Sequence, residues 1–376
     1  MDGDPARGYD GTARQVNVAY LAPGSSVHVR RWLAAMQNSG YRVELITMHR
    51  PDGDAGLPPA VGIHQLPFPA PAGYYLNKWH LIALLRRLRP ALLHAHYATG
   101  YGTLSRLADY RPTLLSVWGS DVLVFPHQAG WRRRLVRRNL LAADYLASTS
   151  HAMRSAVEQL VGRRRPIAVT PFGVDCQQFQ PAAGRPSEAT ITIGTVKSLE
   201  RTAGLDTLIR AFGMLADWHP DQDLRLLIVG DGPERAPLER LTRSLGVGGR
   251  VTFVGAVPHN AVPEWVARMD MFATLSNSEG FGVGVLEASA CGIPVVVSDV
   301  GGLGEVVRHG ETGLLVSPRD LEGAARAMES LVGDPALRTR MGAAGRAFVV
   351  QSYEWRKTVE VMGAVYRTIL LGSERA

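Results

Sequence analysis

Short β-branched apolar runs alternate with helical stretches along this chain, and they do so twice. VNVAYLAP (16–23) reads as a buried strand, and a helical segment from Ser26 to Asn38 follows until Gly40 stops it. YRVELITM (41–48), ALLHAH (91–96), TLLSVWG (113–119), YLAST (145–149) and PIAVTPFGVD (166–175) continue the series. QPAAGRPSEA (180–189) has the composition of a linker. A second series then runs through TITIGTV (190–196), LRLLIVG (224–230), RVTFVG (250–255), MFATLS (271–276) and IPVVVSD (293–299), with helices between them. Strands alternating with helices of this length predict parallel sheets covered on both faces. Two such series predict an α/β protein of two doubly wound, Rossmann-like domains with a cleft between them. Ligands of such sheets bind at the C-terminal strand ends, so the loops after Leu21, Val117, Val196, Val229 and Leu275 are where a site is expected.

The 376 residues hold about two domains. We expect 1–185 as the first, 186–352 as the second, and a final helix in 353–376 packing back on the first. The two cysteines, Cys176 and Cys291, define neither a disulfide framework nor a CxxC metal site, which fits a cytoplasmic, reducing setting. The N-terminus, MDGDPARGYDG, does not read as a secretory signal. No run approaches the ~18 apolar residues of a membrane-spanning helix.

The net charge of +7 hides an asymmetry. Residues 1–185 hold 22 Arg and Lys against 11 Asp and Glu, leaving 19 against 23 in the rest. WRRRLVRR (131–138) and GRRRP (162–166) supply much of the excess. They read either as solvated basic surface or as attraction to anionic lipid or an anionic acceptor, with peripheral association at the inner membrane face as the corollary. No groove-reading motif or aromatic platform accompanies them, so no nucleic-acid partner is expected.

The most informative stretch is SNSEGFGVGVLEASACGIPVVVSDVGGLGEV, from Ser276. A strand ends near Leu275, a loop carries Glu279, and Gly280-Phe281-Gly282 opens a helix. Glycines admit close backbone approach to a ligand, and a helix N-terminus offers unpaired N–H groups to an anion such as a diphosphate. Glu287 lies inside the helix, placed to accept hydrogen bonds from vicinal hydroxyls such as those of a ribose. LRLLIVG ends at Gly230 in Gly-Asp-Gly-Pro.

Here the chain resembles the retaining glycosyltransferases of family 4, which have the two-domain GT-B fold. Ser276, Glu279, Gly280, Phe281, Gly282, Glu287, Gly292, Pro294, Gly301, Gly302 and Glu305 match the family pattern in register. GDGPERAPLERLTRSLGVGGRVTFVG (230–255), TGLLVSP (312–318) and PFGVDCQQFQP (171–181) also match. The resemblance implies a nucleotide-sugar donor on the second domain, UDP-linked ahead of GDP-linked. The acceptor on the first domain would be a glycan, a lipid-linked molecule or a small molecule. It implies that Glu287 holds the ribose, and that Glu279 and the backbone from Gly280 to Val283 meet the hexose and diphosphate. Gly230 and the first-loop residues Gly24 and Ser25 would also face the donor. Transfer would retain the anomeric configuration with no covalent enzyme intermediate, no metal and no cofactor beyond the donor.

The chain departs from the pattern at three places. In VKSLERTAGLDTLI (196–209), Lys197 stands at the family's Arg position and Thr202 at its Lys position. A clamp repositioned onto Lys197 and Arg201 is the expectation; a weakened homologue that binds nucleotide sugar as a partner is the alternative. Trp118 in SVWGSD (116–121) stands where many members have His. His94 and His96, at a strand end, read either as structural hydrogen-bonders or, for His96 if it faces the cleft, as an acceptor-site residue. Asp121 either orients the acceptor or caps the next turn. Arg30 and Arg31 read as a solvated helix face. The Asp-x-Asp pairs at Asp2/Asp4, Asp52/Asp54 and Asp221/Asp223 read as turns rather than metal sites. A nicotinamide-dependent dehydrogenase lacks its fingerprint, since APGSSVHVRR follows the first strand in place of GxGxxG.

Overall fold

The computed structural model describes residues 15–50, 57, 60–162, 165–182 and 190–373. The pairs Asp2/Asp4 and Asp52/Asp54, the N-terminal stretch, Arg163 and Arg164, and most of the 180–189 linker lie outside them. The chain divides into two compact units. The first comprises Met1–Ser148, Arg154–Val169 and Val359–Ala376; the second comprises Thr149–Met153 and Thr170–Thr358. The units therefore separate at Val169/Thr170, upstream of the 180–189 stretch. The last helix, Trp355–Ser373, has its first turn in the second unit and its remainder in the first.

Among the described residues, the first unit holds seven strands: β1 (Asn17–Leu21), β2 (Arg42–Thr47), β3 (Gly62–Gln65), β4 (Leu92–His96), β5 (Thr113–Val117), β6 (Tyr145–Ser148) and β7 (Ile167–Val169). They pair in the order β3-β2-β1-β4-β5-β6-β7, all parallel. Every residue of β4 and β5 is buried, as a strand covered on both faces requires. The strand expected over 166–175 is only Ile167–Val169. Beyond it Val174 bridges to Glu354 in the second unit.

The second unit holds β8 (Thr190–Val196), β9 (Asp223–Val229), β10 (Val251–Gly255), β11 (Met271–Thr274), β12 (Val295–Ser298) and β13 (Gly313–Val316). Their order is β10-β9-β8-β11-β12-β13, again parallel. Ile191, Ile193, Leu226, Ile228, Met271 and Ala273 on the sheet pack against Leu208, Phe212, Leu215 and Met328 from the helices Leu205–Trp218 and Leu321–Gly333. In both sheets the order reverses beside the first strand of the unit, the point where loops splay apart and leave room for a ligand. Asp221 lies in the turn before β9, and Asp223 opens the strand and is tied to Thr190 and Arg225. Among the described residues, no helix is long and apolar enough to cross a membrane.

Candidate active site

The C-terminal ends of β8 and β11 bring two oppositely charged side chains together. Lys197, the residue after β8, pairs through Nζ with the carboxylate of Glu279, in the loop after β11. Each keeps 21% of its side-chain surface exposed, so both stay within reach of a ligand. Main-chain packing sets the loop positions. Lys197 N–H donates to Val229 O (2.9 Å), and Gly230 (φ +137°) passes so close to Lys197 O that a Cβ would collide with it. Gly301 (φ +54°) likewise lies against the carbonyl of Glu279, and Gly302 N–H donates to that carbonyl at 3.2 Å. The glycines after β9 and β12 are thus steric requirements for the approach of two loops.

Gly282 (φ +101°) is the N-cap of the helix Val283–Ala290, and no side chain caps it. The first bonds of this helix run from Val285 and Leu286 N–H to Gly282 O (3.0 and 3.2 Å), so the N–H groups of Val283 and Gly284 lie ahead of them at the positive end of the helix dipole. The Phe281 ring turns away and packs against Phe172 and Tyr353, leaving Gly280–Gly282 to present backbone. One turn into the helix, Glu287 is buried, and its Oε1 lies 2.7 Å from His259 Nε2. His259 follows β10, and its ring rests on Phe179 (5.6 Å between centroids). A buried carboxylate needs hydrogen-bond donors. His259 supplies one and leaves lone pairs for others. Nothing in the sequence flagged His259, because it lies outside the motif that carries the two glutamates.

Arg201 is placed differently from the clamp expected of it. Its side chain is 91% exposed and turns to Glu234 at 3.4 Å, while Lys197 alone engages Glu279. Thr202 is held by its backbone, with its carbonyl accepting from Asn277 N–H at 2.9 Å. Arg201, Glu234, Asn277 and Arg319 line a depression of about 580 Å³ on this side of the sheet. A larger one, about 1110 Å³, lies at the opposite strand ends, by Thr190, Asp270 and Gly292, away from the charged pair. Burial and the neighbouring Glu287 raise the Cys291 thiol to about 12, so it stays protonated.

The strand ends of the first unit look different. His94 Nδ1 meets Tyr366 Oη at 2.6 Å and its Nε2 meets Ser116 Oγ at 2.7 Å, while Tyr366 also bonds Tyr20 (2.6 Å). His96 is fully buried, with neither ring nitrogen hydrogen-bonded among the described residues. It lies between the rings of Tyr20 (5.3 Å) and Trp118 (4.4 Å). Burial lowers the pKa of His94 to about 3 and that of His96 well below its ordinary value. Asp121 acts as a cap: its carboxylate accepts from Ala98 N–H (2.8 Å), Gly119 N–H (2.9 Å) and Trp118 N–H (3.2 Å). Burial raises its pKa and those N–H groups oppose the rise. Gly24 N–H donates to Thr47 Oγ1 and Ser25 N–H to His49 O, so both groups are engaged within the unit. Tyr97, directly after β4, adopts a left-handed φ of +69°, a strained conformation for a bulky residue and one the sequence did not announce.

Two family models match the chain: "Glycosyl transferases group 1" over residues 177–348 and "Glycosyl transferase 4-like" over residues 17–150. A GDP-mannose-dependent alpha-(1-6)-phosphatidylinositol monomannoside mannosyltransferase of Mycolicibacterium smegmatis is 32% identical over 295 residues, covering 73% of this chain and 74% of the relative. The chain belongs to the group 1 glycosyltransferases, of the family 4 type. An N-acetyl-alpha-D-glucosaminyl L-malate synthase of Bacillus anthracis is 28% identical, covering 74% of this chain and 75% of the relative. Among solved structures, a sucrose-phosphate synthase from Thermosynechococcus elongatus superposes with a TM-score of 0.84 at 24% identity, over 96% of this chain and 100% of that one. Anabaena HepE in complex with UDP-glucose superposes with a TM-score of 0.79 at 19% identity, over 94% and 100%. This glycosyltransferase therefore has the GT-B fold of two Rossmann-like domains.

Proposed function

We propose that this glycosyltransferase moves a hexosyl-type group from a nucleoside-diphosphate sugar to an acceptor hydroxyl, retaining the anomeric configuration and needing neither metal ion nor cofactor. One observation carries the reading: Lys197 and Glu279 meet beside the uncapped helix that opens at Gly282. The ammonium of Lys197 and the N–H groups at Val283 are the cations and dipoles that a departing diphosphate needs. Glu279 is the acceptor for hexose hydroxyls, and Glu287, oriented by His259, is the acceptor for ribose hydroxyls. Gly230 holds the Lys197 loop in place. Arg201, tethered only by an exposed ion pair worth little, is free to swing toward the same phosphates. A UDP-linked donor stands ahead of a GDP-linked one: HepE is solved with UDP-glucose, whereas the mycobacterial relative is named for GDP-mannose.

The acceptor, a glycan, a lipid-linked molecule or a small molecule, belongs to the first unit, with His96 in the wall of its site rather than exposed in it. The free thiols of Cys176 and Cys291 fit a cytoplasmic setting. Thr202 favours a second reading, a catalytically weak homologue that binds nucleotide sugar as a partner. Thermal shifts with UDP, GDP, ADP and TDP, followed by transfer assays with and without EDTA, test both. A UDP-induced shift and EDTA-resistant transfer are expected. A strict divalent-metal requirement would contradict metal independence, and nucleotide binding with no turnover on any sugar would favour the second reading.

A further inference from the structure

The first unit exposes large apolar side chains in one region. Trp79 is 70% exposed, Trp131 63%, and Tyr75 and Leu76 55% each. They come from three helices, Gly73–Leu76, Lys78–Leu88 and Gly130–Ala142. Tyr75, Trp131, Arg134, Leu135 and Arg138 line one shallow depression of about 540 Å³, so the first and third helices lie side by side there. Cations accompany the rings: Lys78 Nζ sits 4.6 Å from the centre of the Trp79 ring, and Arg132 stacks on Trp131. Arg86, Arg87, Arg133, Arg134 and Arg138 are exposed on the same helices. No Asp or Glu occurs anywhere in 55–108 or 122–143, the segments that contain all three helices. Soluble surfaces intersperse the two charge signs; this one carries a single sign around aromatic rings.

We propose that this face docks the enzyme on an anionic lipid bilayer. Trp and Tyr favour the headgroup layer, Leu76 and Leu135 the acyl boundary, and the arginines the phosphates of anionic lipids. A second copy of this chain fits poorly, because a two-fold interface would set these arginines against themselves. A single-stranded nucleic acid would stack on the tryptophans but leave the leucines without partners. The face also borders the ligand ends of the sheet. Tyr74 covers Gly100 just after β4, and the turn Phe125–His127, after β5, leads toward Trp131, with Phe125 packing edge-to-face against it. An acceptor seated in the membrane would thus reach the loops of the first unit without leaving the lipid surface. The proposal goes beyond the donor chemistry and does not rest on it.

Co-sedimentation of the full chain with phosphatidylcholine vesicles, with and without phosphatidylglycerol, tests it. Binding only to the anionic vesicles is expected, weakening as salt screens the headgroups. Arg134→Ala with Arg138→Ala should lower partitioning by roughly 25-fold, since each cation near such a surface contributes about fivefold; separately, Trp79→Ala with Trp131→Ala, which removes the apolar anchors, should lower it by roughly 10-fold. Both double variants should melt like the parent protein. Failure to bind anionic vesicles at low salt would overturn the proposal, as would binding unmoved by either variant, equal binding to neutral vesicles, tighter binding to single-stranded RNA, or a dimer that both variants dissolve.

Discussion

At the ligand ends of the second sheet, four side chains meet as two acid–base pairs, Lys197 with Glu279 and His259 with Glu287. At the same ends of the first sheet, His94, His96, Tyr20 and Tyr366 form a neutral cluster of rings with no acid among them. The physical difference is access to water. Lys197 and Glu279 each keep a fifth of their side-chain surface and His259 more, so the ion pair is only partly desolvated and all three groups stay open to a ligand. The imidazoles of the first sheet keep none, and burial disfavours the second proton that would charge them. One sheet is thus suited to binding charge and the other to holding shape.

Substitutions that cross this divide should break it most clearly at Glu279. Glu279→Ala is expected to abolish detectable transfer, by about 10³-fold or more in kcat, with nucleoside-diphosphate affinity largely unchanged; full activity would remove its assigned role. Lys197→Ala should cost on the order of 10²-fold in kcat, the scale of one lost electrostatic contact to developing charge. His259→Ala should act through Glu287 alone, raising the donor KM by about 10-fold with kcat little changed, and His259→Gln should restore part of the loss. A fall in kcat at unchanged KM would show that the pair does more than hold a ribose.

The smallest effect is expected in the first unit and is read by pH. His94 and His96 stay neutral in the native state but take up a proton at the ordinary value of 6.5 once unfolded. Stability is therefore full above about pH 6.5 and declines as pH falls toward the native value of about 3 for His94, by about 1.4 kcal/mol per pH unit for each imidazole. His96→Phe keeps a ring between Tyr20 and Trp118 and removes one titrating group. Its Tm should fall less steeply than the parent's between pH 6.5 and pH 5. A large loss of transfer with the Tm intact would instead place His96 in contact with the acceptor.

The doubly wound fold was legible because buried parallel strands are continuous apolar runs, and VNVAYL, TLLSV and IPVVVS announce themselves. β3 was not, since GIHQ is a half-exposed edge strand with little apolar signal. The motif glycines were legible as backbone approaches, and their role is specific: Gly230 and Gly301 admit the carbonyls of Lys197 and Glu279. Spacing placed Glu279 and Glu287 on the correct loop and helix but was silent on their partners, because Lys197 and His259 come from other strands. Residue type alone misled on reach. Arg201 lies beside the clamp in sequence yet turns to Glu234, and Asp121 spends its oxygens on three N–H groups.

The bond between Tyr366 and Tyr20 spans 346 residues, and it closes the core of the first sheet with a helix from the far end of the chain. During synthesis, β1 and β4 leave the ribosome long before that helix exists. Until then the Tyr20 hydroxyl and His94 Nδ1 have water in place of Tyr366 as their partner. Maturation of the first unit is therefore timed by the translation of its last residues, and the second unit has the opportunity to fold before the first is finished.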